Sequence, residues 1–154
     1  MLMARKMRMG KMIFRLATMQ DINVLIGFDT HASHDLHRHT EIREWCEAGV
    51  CHIAELAGEI VAYGVLHYHF YGYGFIDILM VDERFRRRGV GRKLLEQLKS
   101  LCERPKLFTS TNGSNLPMKR LLLEAGFTES GCIENLDEND PERVFFFPVK
   151  GTAS

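Results

Sequence analysis

Between residues 86 and 92 the chain reads Arg86-Arg87-Arg88-Gly89-Val90-Gly91-Arg92, four guanidinium groups around two glycines. That composition suits a phosphate-bearing anion. Without side chains, Gly89 and Gly91 leave their backbone amides free to close on phosphate oxygens. Arg86, Arg87, Arg88 and Arg92 add charge-assisted, fork-shaped donors around the same point. The apolar spacing that begins at Val90 predicts a helix, whose first turn brings unsatisfied N–H groups and a partial positive charge. The plainer alternative is a solvated basic loop with a glycine turn. Neither common nucleotide motif fits. A Walker loop needs G-x-x-x-x-G-K-S/T, and the only Gly-Lys pair, Gly10-Lys11, is followed by Met12. A dinucleotide fold places its glycines in the first strand–helix unit, whereas these follow the fourth predicted strand.

The elements that must hold this loop follow from hydrophobic periodicity. Residues 12–18 read as a strand, followed by capping groups at Thr18 to Asp21 and a helical stretch through Ile22, Leu25, Ile26 and Phe28. A second helix is predicted from about Asp35 to Ala48, with Leu36, Ile42 and Trp45 inward and Gly49 as its stop. Residues 51–56 and 60–70 flank Ala57-Gly58-Glu59 as an antiparallel hairpin. Residues 75–81 form a near-continuous apolar strand in which Asp77 is the polar exception. From Gly89 to about Cys102, Val90, Leu94, Leu95, Leu98 and Leu101 make one helical stripe. Then come a strand at 106–110, a loop at 111–114, a helix at 115–125 ended by Gly126, and strands at 127–133 and 143–149 joined by the acidic segment 135–141. The order βααβββαβαββ predicts an α/β (α+β) fold, a largely antiparallel sheet with helices on its faces.

Composition narrows the class. At 154 residues, residues 12–150 are expected to form a single domain behind a flexible basic N-terminal tail, residues 1–11, which holds Arg5, Lys6, Arg8 and Lys11 and no acid. Basic and acidic residues balance at 20 each, so net charge gives no argument for a nucleic-acid or membrane partner. Lys11 and Arg15 interrupt every candidate signal-peptide run, and no run approaches the roughly 18 apolar residues of a membrane helix, so a cytoplasmic protein is expected. Cys46, Cys51, Cys102 and Cys132 show no C-x-x-C spacing and read as reduced thiols. His31, His34, His37 and His39 cluster between the first two helices, but no Cys or carboxylate is spaced to complete a metal site, and no metal is expected; substrate contact is the alternative role.

The glycine–arginine segment resembles the acetyl-CoA signature of the GNAT superfamily, Q/R-x-x-G-x-G/A, and lies between the fourth strand and its helix, where that family places it. Phe14 to Thr18 with Asp21-Ile22 is similar to the family's first strand and helix start, Asn115 with Gly126-Phe127 to its later N-x-x-A…G-F segment, and Ile133 to Asp137 to the tail of small bacterial members. The resemblance spans roughly residues 12–149. It implies a central mixed sheet split between strands 4 and 5, acetyl-CoA as co-substrate, and transfer of the acetyl group to a primary amine. It further implies that Leu79, Met80 and Val81 pair with the pantetheine arm, that the amides of Arg87 to Arg92 carry the pyrophosphate, and that Asn115 lies beside the coenzyme near the thioester. A homodimer is compatible with it.

On that footing the backbone N–H of Met80 or Val81 is the expected donor to the thioester carbonyl. Asp77, an isolated carboxylate in an apolar strand, is the candidate base, against a plain strand-end carboxylate; Glu134 is a second candidate. Two positions depart from the family. Leu122 stands where many members carry a tyrosine that protonates the leaving thiolate, and Met118 where an alanine is usual. Either Tyr68, Tyr71 or Tyr73 substitutes, or the thiolate leaves unassisted, or the chain is a catalytically silent acyl-CoA-binding module.

Overall fold

The computed structural model describes residues 11–149; all but Lys11 of the expected N-terminal tail lies outside them. Seven strands form one sheet in the order β1-β2-β3-β4-β5-β7-β6: β1 (Met12–Leu16), β2 (Cys51–Leu56), β3 (Glu59–Phe70), β4 (Tyr73–Val81), β5 (Lys106–Asn112), β6 (Thr128–Ile133) and β7 (Glu142–Pro148). The helices are α1 (Ile22–Phe28), α2 (Leu36–Glu47), α3 (Val90–Leu101) and α4 (Leu116–Glu124). The predicted element order is observed. The chain falls into two compact units.

Of the described residues, the first unit holds residues 11–65 together with Ile78–Leu94. Strand β2 pairs antiparallel with β1, from Met12 opposite Leu56 to Leu16 opposite His52, and with β3 through a register shift at Ala54/Glu55. A capping box starts the first helical turn: Gln20 N–H donates to the Thr18 hydroxyl, and Thr18 N–H donates to the Asp21 carboxylate at 2.7 Å. Arg15 ties that carboxylate to Glu55 of β2. Asp35 caps α2 by accepting from His37 N–H. The core joins Ile22 and Leu25 of α1, Ile42 and Cys46 of α2, Ile53 of β2 and Tyr63 and Val65 of β3 to Met80. One expectation fails here. Leu36 is 79% exposed, because it is the first residue of α2 and the helix turns its apolar face inward only further along, at Ile42 and Cys46.

The second unit holds Leu66–Asp77 and, of the described residues, those from 95 to 149. Here β4 and β5 form a parallel ladder, Gly74–Ile76 against Leu107–Thr109, while β4 continues to Val81 and β5 to Asn112. Strand β5 pairs antiparallel with β7 along its whole length, so Thr111 and Asn112, expected in a loop, are held as strand by Arg143 and Glu142. Leu107, Leu122, Phe127 and Phe145 are buried at its centre. Gly74 is required by space: a Cβ there would stand 2.6 Å from Cys102 Sγ and 3.1 Å from Leu107. The α3 stripe is buried at Val90, Leu94, Leu95 and Leu98, whereas Leu101, its last residue, is exposed. No helix among the described residues is long and apolar enough to cross a membrane.

Candidate anion and active site

The end of β4, the turn after it and the start of α3 belong to the first unit, and they bring Leu79, Met80, Val81 and residues 86–92 into one continuous segment. Asp82 N–H donates to Val61 O at 2.8 Å, which anchors the turn to β3. The Asp82 carboxylate accepts from Arg84, and the guanidinium holds it below the usual carboxylate range. Arg86 folds back: its Nε donates to Val81 O at 3.0 Å and its terminal nitrogen lies 3.8 Å from Met80 Sδ. Arg84 and Arg88 both stack on Phe85, at 5.2 and 5.4 Å from the ring centroid.

The loop's backbone is unusual. Arg87 (φ 65°) and Gly89 (φ 79°) both occupy the left-handed region, and Gly89 O then accepts the first bond of α3 from Lys93 N–H at 3.1 Å. Left-handed residues leading into a helix turn successive amides toward one side, the concave arrangement that receives anions. A Cβ on Gly89 would meet nothing within 4 Å, so glycine is needed there for its backbone angle, not for space. Arg86 to Gly89 are exposed, and an anion reaches them from solvent.

Asp77 is exposed on β4, in the second unit, and its Oδ2 lies 3.2 Å from His67 Nε2. The adjacent His69 N–H donates to His67 Nδ1 at 3.1 Å. Asn115, also in the second unit, caps α4 by accepting from Met118 N–H at 3.2 Å. Glu134 is exposed just beyond β6, with Cys132 Sγ 3.9 Å from its Oε2.

Of the tyrosines, Tyr68 accepts from Glu103 N–H and faces Leu101 O, and burial pushes its phenol up. Tyr71 is 87% exposed in the β3–β4 turn. Tyr73 opens β4 and packs on Phe108. Leu122 is buried core. His31 and His34 stack at 6.3 Å and His39 bonds Ala32 O; no group of three or more His, Cys, Asp or Glu among the described residues is placed to share a metal ion.

Sequence reasoning missed a buried network in the first unit. The Asp29 carboxylate accepts from Tyr63 Oη at 2.5 Å, Arg38 at 3.0 Å and the amides of His31 and Ala32. Burial pushes the carboxyl up, but these partners outweigh it and hold Asp29 below its ordinary value. Burial and the facing carboxylate drive the Tyr63 phenol well above its own. Asp29, Phe28, Thr30, Ile60 and Asp82 line part of a cavity of about 500 Å³. Residues 29, 38 and 63 share no local motif, and the one sequence signal was an acid directly after an apolar helical run.

The family model for the acetyltransferase (GNAT) family matches residues 16–127. No curated protein matches the sequence. Among solved structures, an acetyltransferase of the GNAT family from Bacillus cereus ATCC 10987 is 29% identical, with a TM-score of 0.83 over 90% of this chain and 98% of its own. The yncA protein of Salmonella typhimurium, in a structure with its cofactor acetyl-CoA, is 18% identical with a TM-score of 0.71 over 93% and 96%. A ribosomal-protein-alanine N-acetyltransferase from Brucella melitensis is 19% identical with a TM-score of 0.72 over 88% and 99%. The last two likenesses are of fold.

Proposed function

Since the chain belongs to the acetyltransferase (GNAT) family, whose model matches it over residues 16–127, we propose that it transfers an acetyl group from acetyl-CoA to a primary amine of a small molecule or peptide, by direct attack in a ternary complex. The observation that carries this reading is the loop at residues 86–92, where left-handed Arg87 and Gly89 lead exposed amides and guanidiniums into the start of α3. Such a cradle fits the diphosphate of a coenzyme. The yncA structure with acetyl-CoA and the N-acetyltransferase from Brucella melitensis share the fold and support coenzyme and reaction class by analogy.

In this reading the diphosphate rests on the amides of Arg87 to Arg92 and the guanidiniums of Arg86, Arg87, Arg88 and Arg92, with Val90 and Gly91 in the first turn beneath it. The pantetheine arm pairs with Leu79, Met80 and Val81, and the backbone N–H of Met80 or Val81 donates to the thioester carbonyl, stabilising the charge that develops on its oxygen. Asn115 contributes an amide to the coenzyme. An alkylammonium has a pKa near 10, so a base must take its proton at neutral pH. Asp77 on β4 takes it, directly or through water, and Glu134 is the weaker candidate for that role. The nitrogen lone pair then forms the N–C bond as the C–S bond breaks, and the second proton of the nitrogen passes to water. The coenzyme thiolate leaves unassisted, in keeping with the low basicity of thiolates.

A second reading is favoured by one observation: Leu122, where a proton donor is usual in the family, is buried core. On it the chain is an acyl-CoA-binding module without turnover. Release of coenzyme thiol, measured with acetyl-CoA against spermidine, tyramine, lysine and a peptide with a free N-terminus, separates the two. Turnover on any of them supports the enzyme; tight coenzyme binding with none supports the module.

A further inference from the structure

We propose that His67 is a positioning residue for Asp77, fixing that carboxylate in the orientation from which it takes a proton. The inference rests on the reading of Asp77 as base, and it comes from three contacts. His67 Nδ1 accepts a hydrogen bond from the backbone N–H of His69 at 3.1 Å, so this nitrogen carries no proton. The ring proton of the neutral imidazole is therefore on Nε2, which lies 3.2 Å from Asp77 Oδ2 and donates to it. The ring packs against Phe75, at 5.7 Å between centroids, and against His69, at 5.4 Å.

The consequence is a division of labour between the two side chains. Neither nitrogen of His67 keeps a lone pair for an incoming proton, because one receives the His69 amide and the other bears hydrogen. His67 is thus not the base. Its side chain is 18% exposed and that of Asp77 is 43% exposed, so the imidazole stands behind a carboxylate that faces solvent. Asp77 Oδ1 accepts no hydrogen bond from the described residues. With Oδ2 tied, Oδ1 is the oxygen presented to an ammonium. The proton passes from the ammonium nitrogen to Oδ1, and His67 keeps its own proton and its bond to Oδ2 throughout. An exposed aspartate on a strand otherwise samples several side-chain rotamers, and a base displaced from its productive geometry loses much of its effect.

The test uses the full chain. Long-range ¹H–¹⁵N correlation spectra of histidine-labelled protein, assigned with the His67→Gln variant, report the ring tautomer without any acceptor. The expected result is the Nε2–H form; a proton on Nδ1 overturns the inference. Kinetics with acetyl-CoA and the fastest amine of the panel above give the second readout. His67→Leu keeps the packing against Phe75 and removes the donor, and is expected to lower kcat roughly tenfold or more with the KM for acetyl-CoA unchanged. His67→Gln places an N–H near the same point and is expected to recover most of that loss. Equal losses in the two variants, or an undiminished His67→Leu enzyme beside an inactive Asp77→Asn, overturn the role of His67 and leave Asp77 standing. An Asp77→Asn enzyme as fast as the parent, or no turnover on any amine, removes the base reading itself and this inference with it.

Discussion

Replacing Gly89 with valine tests the backbone geometry of the anion loop. Gly89 sits at φ 79°, and a Cβ there meets nothing within 4 Å, so the variant does not fail by collision. Its effect is conformational. For an L-residue the left-handed region costs about 1–2 kcal/mol, and for a β-branched one it is a true outlier, so valine drives the backbone out of it. The amides of residues 87–89 then no longer converge, while α3 still begins at Val90 on its buried stripe. Losing one charge-assisted hydrogen bond of about 1.5–3 kcal/mol weakens coenzyme binding by about 10- to 150-fold. Should the loop hold its shape instead, the strain appears as stability, about 2–4 °C in Tm per kcal/mol for a domain of this size. Calorimetric titration with coenzyme A, alongside a thermal melt, reads both quantities. A Gly89→Val protein whose Kd and Tm both match the parent refutes the assignment of the loop.

Two predictions concern stability. Asp29→Ala leaves the buried Tyr63 hydroxyl, and the half-buried Arg38 that still pairs with Glu41, without their shared partner, a change of about 3–5 kcal/mol, and is expected to lower Tm by about 6–20 °C. Because the folded Asp29 carboxyl is held below its unfolded value, its contribution is fully present above the ordinary aspartate range and is lost as pH falls through the depressed value; Asp29→Asn should therefore flatten the acid limb of a Tm-versus-pH plot. Leu122→Tyr, the substitution that would restore the family's usual residue, places a larger polar side chain in a filled core, and is expected to lower stability by about 1–3 kcal/mol in denaturant melts without raising kcat.

What the sequence made legible was local. The loop at residues 86–92 announces itself because glycine, arginine and the start of an amphipathic stripe are contiguous, and the structure places them in one segment. Helix boundaries were likewise readable, as where α2 begins near Asp35 and stops at Gly49. Long-range pairing was not. Thr111 and Asn112 look like loop residues and become strand only because β7 lies opposite them. The Asp29–Tyr63 bond spans 34 residues, and no periodicity links an acid at a helix end to a tyrosine in a strand. Leu36 is exposed where its spacing predicts burial, because apolar spacing cannot tell the first residue of a helix from the turn that packs. Asp77 stood out as a polar residue in an apolar strand, but its His67 partner is fixed by the pairing of β3 with β4, which sequence alone does not register.

The central claim is that the basic loop before α3 grips the diphosphate of the acyl coenzyme. Parallel calorimetric titrations of the full chain with acetyl-CoA and with pantetheine, which lacks the diphosphate and the adenosine 3′-phosphate beyond it, test it most directly. Saturable one-to-one binding of acetyl-CoA, at least about 100-fold tighter than pantetheine and weakening as salt is raised, is the predicted result. Equal affinity for the two compounds, or no heat with either, contradicts it.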